Sequence, residues 1–192
     1  MTGQGKNEID LLLAAGLKEL AAQKPIEKVT IKEITNKAGV IRPTFYNHFQ
    51  DKYELLEWII RRDLIDPILP MVEKGQVAEA VTQLLSAIAE DKAFYMRAVR
   101  MEGVITFEDV AHKCLKEMLL TIMQERMQVG KSRYEWLTPE LMASYYAQTI
   151  CLMITTWVAD DMTIPPQEIA ETYQYMTTHS MEEILRESVI VQ

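Results

Sequence analysis

Apolar side chains early in the chain recur every three or four positions, the spacing of one helix face. Ile9, Leu12, Leu13, Gly16, Leu17, Leu20 and Ala21 form the first such row. They predict a helix over 7 to 24, stopped at Lys24-Pro25 because a residue before proline avoids the right-handed helical region. Thr30-Ile-Lys-Glu33 carries the hydroxyl and carboxylate that cap each other's amides, and predicts a second helix from 31 to 37 or 38. Gly39 suits a left-handed turn, after which a short helix starts within a few residues. Asp51-Lys-Tyr-Glu54 is another cap, opening a helix through Leu55, Leu56, Ile59 and Ile60 to about 64.

Pro67 and Pro70 mark a change of direction, and beyond them the helical spacing continues with no convincing two-residue alternation. Helices are predicted over about 75 to 91, 92 to 101, 105 to 129, 138 to 159 and 166 to 188. Thr138-Pro139 and Pro165-Pro166 suit helix starts, because the first turn does not use the amide that proline lacks. The fold expectation is all-α: an amino-terminal three-helix unit over 1 to 65 and a larger helical domain over 66 to 192.

Composition changes this picture in one respect. With 48% apolar and 25% charged residues the 192-residue chain reads as an ordinary folded protein, and its net charge of −8 argues against a polyanionic partner. The charge is unevenly spread, however. Residues 1 to 65 hold ten Lys/Arg against nine Asp/Glu, whereas the remainder holds ten against nineteen. A local basic surface on an acidic protein is therefore possible between Lys24 and Arg62. Cys114 and Cys151 lie in apolar helical patterns and make no disulfide framework. No leader segment or long uncharged span is read, so a cytoplasmic protein without a membrane segment is expected.

Helix, glycine turn and short helix is the spacing of a helix-turn-helix, whose second helix enters the DNA major groove. Ile34, Ala38, Val40, Phe45 and Phe49 have the spacing to pack inward, which leaves Arg42, Thr44, Tyr46, Asn47 and His48 at the rim. Arginine can address guanine edges or phosphate, and threonine a thymine methyl or a phosphate oxygen. Tyrosine, histidine and lysine suit phosphates that fix register, and Lys52 would add its ammonium at the start of the next helix.

The stretch "VTIKEITNKAGVIRPTFYNHFQDKYELL" resembles the amino-terminal region of the TetR family of bacterial transcriptional regulators, over about residues 7 to 64. The resemblance implies that Arg42, Pro43, Thr44, Tyr46, Asn47, His48 and Lys52 face DNA, with Thr30 and Lys32 near the flanking phosphates. Two positions depart from the pattern: Thr35 stands where the family usually has Ala, and Ile41 where it usually has a capping Ser. Ile41 is either tolerated drift, an apolar base contact, or a source of weaker binding.

All methionines but the first of the 12 lie between Met71 and Met181. Most read as core, yet thioethers also line adaptable pockets, and Met96, Met101, Met118, Tyr146, Met153 and Trp157 are the pocket candidates. "MASYYAQTICLMITTWVADD" is apolar almost all round and must be buried on several sides. With "IAETYQYMTTHSMEEIL" it suits the two-helix dimer face that the family resemblance implies. The segment from Leu84 to Met118 is similar to the subgroup containing the dihydroxyacetone-kinase-operon activator type, in which a partner protein can carry the signal. His112 and Cys114 sit about 200° apart on a helix, and with His179, Asp160 and Asp161 they make no convincing metal site. No cofactor, metal or catalytic motif is read.

The expectation is a homodimeric DNA-binding regulator, a repressor by the family's commoner mode, that binds a near-palindromic double-stranded operator and is switched by a small ligand. The alternative is an activator or coactivator of the same fold that depends on a partner protein. The sequence supports neither an enzyme nor a membrane protein.

Overall fold

The computed structural model describes residues 3 to 126 and 134 to 190. Within them the chain forms eleven α-helices and no strand. Helix α1 (Gly3–Ala21) is followed by a 3-10 turn (Ile26–Lys28), α2 (Ile31–Ala38), α3 (Arg42–Tyr46) and α4 (Lys52–Ile60). A π-helical turn over Arg61–Ile65 continues α4 into the second unit, where the short α5 (Leu69–Glu73) was not foreseen. Helices α6 (Val77–Glu90), α7 (Lys92–Val99), α8 (Phe107–Arg126), α9 (Pro139–Ala159), α10 (Pro166–Thr178) and α11 (Met181–Ile190) complete it.

Two predicted helices differ clearly from the sequence reading. Helix α1 starts earlier and ends at Ala21, three residues before the Lys24-Pro25 stop. The end of the helix predicted over 105 to 129 lies outside the described residues. The helix predicted over 166 to 188 is two helices, because His179 is extended and Ser180 opens a new one. Ser180 and Glu183 cap each other, with the Glu183 amide 3.3 Å from Ser180 Oγ and the Ser180 amide 2.7 Å from the Glu183 carboxylate.

The helix-turn-helix rests on a close approach of α1 and α2. A methyl group at Gly16 would sit 3.2 Å from the Ile34 carbonyl oxygen, so only glycine lets the two backbones come together without a shift. Behind α3 lies an aromatic set, Phe45 against Phe49 and Phe49 against Trp58 at ring separations of 5.9 and 6.2 Å. Leu55, Leu56, Ile59 and Ile60 of α4 close this core, and Leu64, Ile65 and Ile68 carry the same buried row into the second unit.

Two polar ties join the units. Lys18 of α1 donates to Asp63 in the π turn and to Asp91 before α7, each at 2.7 Å. Arg61 pairs with Glu57 and with Glu117 of α8, and Lys113 of α8 reaches Glu57 at 2.8 Å. Burial pushes the Glu57 carboxyl up, but hydrogen bonds from Lys113 and Arg61 outweigh it and hold the group below the usual carboxylate range. The tie therefore stays charged at neutral pH.

Candidate nucleic-acid interface and effector cavity

The interface begins at the cap of α2. The Thr30 hydroxyl and amide both meet the Glu33 carboxylate, and the Glu33 amide returns to the hydroxyl. Lys24 adds a 2.5 Å contact, and its hydrogen bond, followed by those from Thr30, lowers the Glu33 pKa to about 2. Gly39 makes the turn at φ 69°, a left-handed geometry that side chains disfavour. Thr35, the first departure from the family pattern, is buried and donates its hydroxyl to the Lys32 carbonyl at 3.1 Å, so the extra polar atom is satisfied.

Ile41 caps α3 with extended backbone and offers no side-chain acceptor. The amides that a cap would serve are fewer than usual here. A cap side chain accepts from the second or third amide of the helix; here the second residue is Pro43, and the Thr44 amide already bonds the Ile41 carbonyl at 2.9 Å. A serine here would have only the Thr44 amide to share, as Thr30 shares the Glu33 amide between its carbonyl and its hydroxyl.

Arg42, Pro43, Tyr46 and Asn47 are exposed and Thr44 is half-buried, so α3 brings these five side chains to one rim. The Arg42 guanidinium hydrogen-bonds the Tyr46 hydroxyl at 3.1 Å and lies 5.8 Å from its ring, which holds both side chains out together. Lys32 is exposed on α2 beside them. Of the basic residues between 24 and 62, Lys24, Lys37, Arg61 and Arg62 are paired with carboxylates. Lys28, Lys32 and Arg42 have no acidic partner among the described residues. Lys28, on the 3-10 turn ahead of Thr30, is a cation that the sequence reading passed over.

Two expected rim residues do something else. The His48 side chain is only 3% exposed, and its Nδ1 lies 2.6 Å from a carboxylate oxygen of Asp10. Because an ionised carboxylate can only accept, the ring donates to it and pins the end of α3 to α1. The Lys52 ammonium is likewise not free for a phosphate. It donates to the carbonyls of Ile26, Glu27 and Val29 at 3.0, 2.5 and 3.0 Å, which locks the 3-10 turn onto α4. Burial lowers the pKa of this lysine, against the raising influence of Glu27 and Asp51.

The second unit holds a partly open cavity of about 660 Å³ lined mainly by α6, α8, α9 and α10, with Ile68, Val72 and Gly75 at its edge. Helix α8 contributes Leu115, Met118, Leu119 and Ile122, a single face at helical spacing, and α9 contributes Met142, Tyr146 and Ile150. The charged lining residues, Glu79 and Arg126, are exposed, as are Gln174, Thr177 and Thr178, while Tyr146 and Tyr173 bring hydroxyls from the shielded side. Of the six pocket candidates, Met118 and Tyr146 line this cavity. Met96, Met101, Met153 and Trp157 do not line the cavity. Met101 and Trp157 are buried in core packing, the Trp157 indole donating to the Ile164 carbonyl at 2.8 Å, while Met96 and Met153 pack half-buried against that core. The space lies along the first half of α9 and ends at Ile150, about one turn before Met153 and two before Trp157, so helical spacing alone could not locate it.

A profile described as bacterial regulatory proteins of the tetR family matches residues 12–59, and one described as a transcriptional regulator C-terminal region of the TetR class matches residues 76–179. The chain belongs to the TetR family of transcriptional regulators. Among curated TetR-family relatives, the HTH-type dhaKLM operon transcriptional activator DhaS of Lactococcus lactis subsp. lactis (strain IL1403) is 26% identical over 148 residues, covering 73% of this chain and 74% of that protein. A solved dihydroxyacetone kinase operon activator DhaS superposes with a TM-score of 0.60 at 19% identity, over 88% of this chain and 93% of its own. FadR from Bacillus subtilis, solved with stearoyl-CoA, gives 0.57 at 20% identity, over 85% and 94%. At these identities the solved structures establish the TetR-type fold.

Other side chains of this TetR-family chain take plainer roles. Burial pushes both cysteine thiols up to about 12, so neither is a ready nucleophile or metal ligand at neutral pH. His112 lies 3.4 Å from the Ser144 carbonyl, and His179 stacks on Tyr175 with ring centroids 4.2 Å apart. Among the described residues no group of three or more His, Cys, Asp or Glu side chains could hold a metal, and no helix is long and apolar enough to cross a membrane. Apolar side chains do remain exposed along α9, α10 and α11: Tyr145, Leu152, Met176, Met181 and Leu185.

Proposed function

We propose that this chain is a homodimeric DNA-binding regulator whose operator affinity is set by a small molecule in the α6–α8–α9–α10 cavity. Two α3 helices would enter successive major grooves about 34–36 Å apart on a near-palindromic site. Arg42 would address a base edge, Tyr46, Asn47, Thr44, Thr30, Lys32 and Lys28 the phosphates, and Pro43 the groove wall. The exposed apolar row on the last three helices is the surface that a second copy would cover.

The observation that carries this reading is that one helix links the cavity to the unit that bears the interface. Helix α8 lines the cavity through Leu115, Met118 and Ile122, and the same helix is tied through Lys113 to Glu57 of α4 and through Glu117 to Arg61 of the π turn. A ligand that fits the cavity better in one placement of α8 would shift the population of head positions, by no more than its difference in affinity for the two. The apolar lining favours a mostly hydrophobic ligand that keeps its polar group at the Arg126 end.

Repression follows if the dimer occupies promoter DNA. Activation is the second reading, favoured by the relative described as an activator at 26% identity. Binding by the purified chain to random genomic fragments at two salt concentrations, with Tyr46→Ala as control, tests the shared core of both. A reporter placed behind the recovered site then decides the sign. Arg42→Ala is expected to lower operator affinity about tenfold per half-site and to relax preference at one base pair. An equal loss on every sequence would move Arg42 from base to phosphate.

A further inference from the structure

The cap position of α3 is occupied by a side chain that does no capping, and nothing in the protein covers it. Ile41 is 69% exposed, in extended backbone ahead of the first helical residue. Pro43 has removed one amide that a cap would serve, and the Ile41 carbonyl has taken the Thr44 amide. The isoleucine side chain itself takes no part in the hydrogen bonding of the helix start. Its neighbour Pro43 is also exposed, so the leading edge of α3 is apolar, flanked by Arg42 and Thr44.

From this arrangement we infer that Ile41 reads the 5-methyl group of a thymine in the major groove, which makes it a specificity-determining residue of the interface. This rests on the DNA-binding reading above. The chemistry is restrictive: in the major groove the thymine methyl is the one apolar group that a base pair presents, and branched aliphatic side chains have no hydrogen bond to offer the other edges. The first residues of a recognition helix are those that meet base edges. Contact with one methyl group removes it and part of the isoleucine from water, an effect of about fourfold in affinity per half-site.

The test uses the full chain. Duplexes selected from a random pool by the wild type are resynthesised with one thymine at a time replaced by deoxyuridine, which deletes only the methyl group. One thymine in each half-site is expected to show an affinity loss of about fourfold with the wild type and none with Ile41→Ala. The melting temperature of Ile41→Ala should stay near that of the wild type, because exposed positions contribute little to stability. If the deoxyuridine loss persists undiminished in Ile41→Ala, another side chain reads the methyl and the inference falls. It falls equally if no thymine matters while a defined site is still selected. Failure to select any site with folded protein would instead remove the DNA-binding reading on which it stands.

Discussion

Asp10→Ala should lower the unfolding free energy by about 3 kcal/mol and take operator binding with it. The pair it breaks joins residues 38 apart in sequence, with both side chains at least nine-tenths shielded from water. Removing the carboxylate leaves the His48 Nδ1–H without an acceptor in a site water barely reaches, and an orphaned donor costs more than the bond itself contributed. Because His48 follows directly on α3, loosening it lets the recognition helix tilt away from α1. Denaturant unfolding with an unchanged slope is the measurement. Asp10→Asn, which keeps an acceptor oxygen, should lose much less. The double variant with His48→Ala should cost clearly less than the sum of the two single changes. A loss for Asp10→Ala below about 1 kcal/mol would show that the pair does not anchor α3.

Lys52→Met is expected to destabilise the protein by about 2 kcal/mol while leaving the salt dependence of DNA binding unchanged. Sequence resemblance gives this ammonium to a phosphate. In the structure all three of its protons go to main-chain carbonyls of the turn before α2. Methionine keeps the length and removes the donors. Partial exposure of the lysine lets water recover some of the loss, which is why the figure is not larger. If Lys52 instead neutralised a phosphate, the slope of log affinity against log salt would fall by about one unit for each subunit, with little change in melting temperature. The two outcomes separate cleanly in one pair of titrations.

These two cases mark what could be read from the sequence. The Thr30–Glu33 and Asp51 caps, the Gly39 turn and the inward rows at Ile34, Phe45 and Phe49 are local patterns, and each is where spacing places it. The His48–Asp10 and Lys52–carbonyl contacts span tens of residues and leave no periodic trace. The cavity face of α8 was visible as a row, but which helices stand opposite it depends on packing angles. The Ser180–Glu183 cap was legible and was masked by an apolar row running through it. Sequence also singled out Ile41 as the missing cap, whereas the bond from the Thr44 amide to the Ile41 carbonyl needed the backbone.

The π turn at Arg61–Ile65 has a consequence for how the two units are phased. Leu56, Ile60, Leu64 and Ile68 are all buried and repeat every four residues, whereas an α-helix turns once in about 3.6, so such a row drifts by about 40° at each step. Over three steps the accumulated drift would carry Ile68 well away from the side on which Leu56 packs. A wider turn takes up that drift. Losing a single residue from it would return the segment to α-helical phase and rotate everything beyond by about 100°. The buried row would then face two directions, and the second unit would present α8 to α4 on the wrong side for Arg61 to meet Glu117. Insertions and deletions should therefore be rarer here than in the loops on either side, even though no residue of the turn needs to touch DNA or ligand.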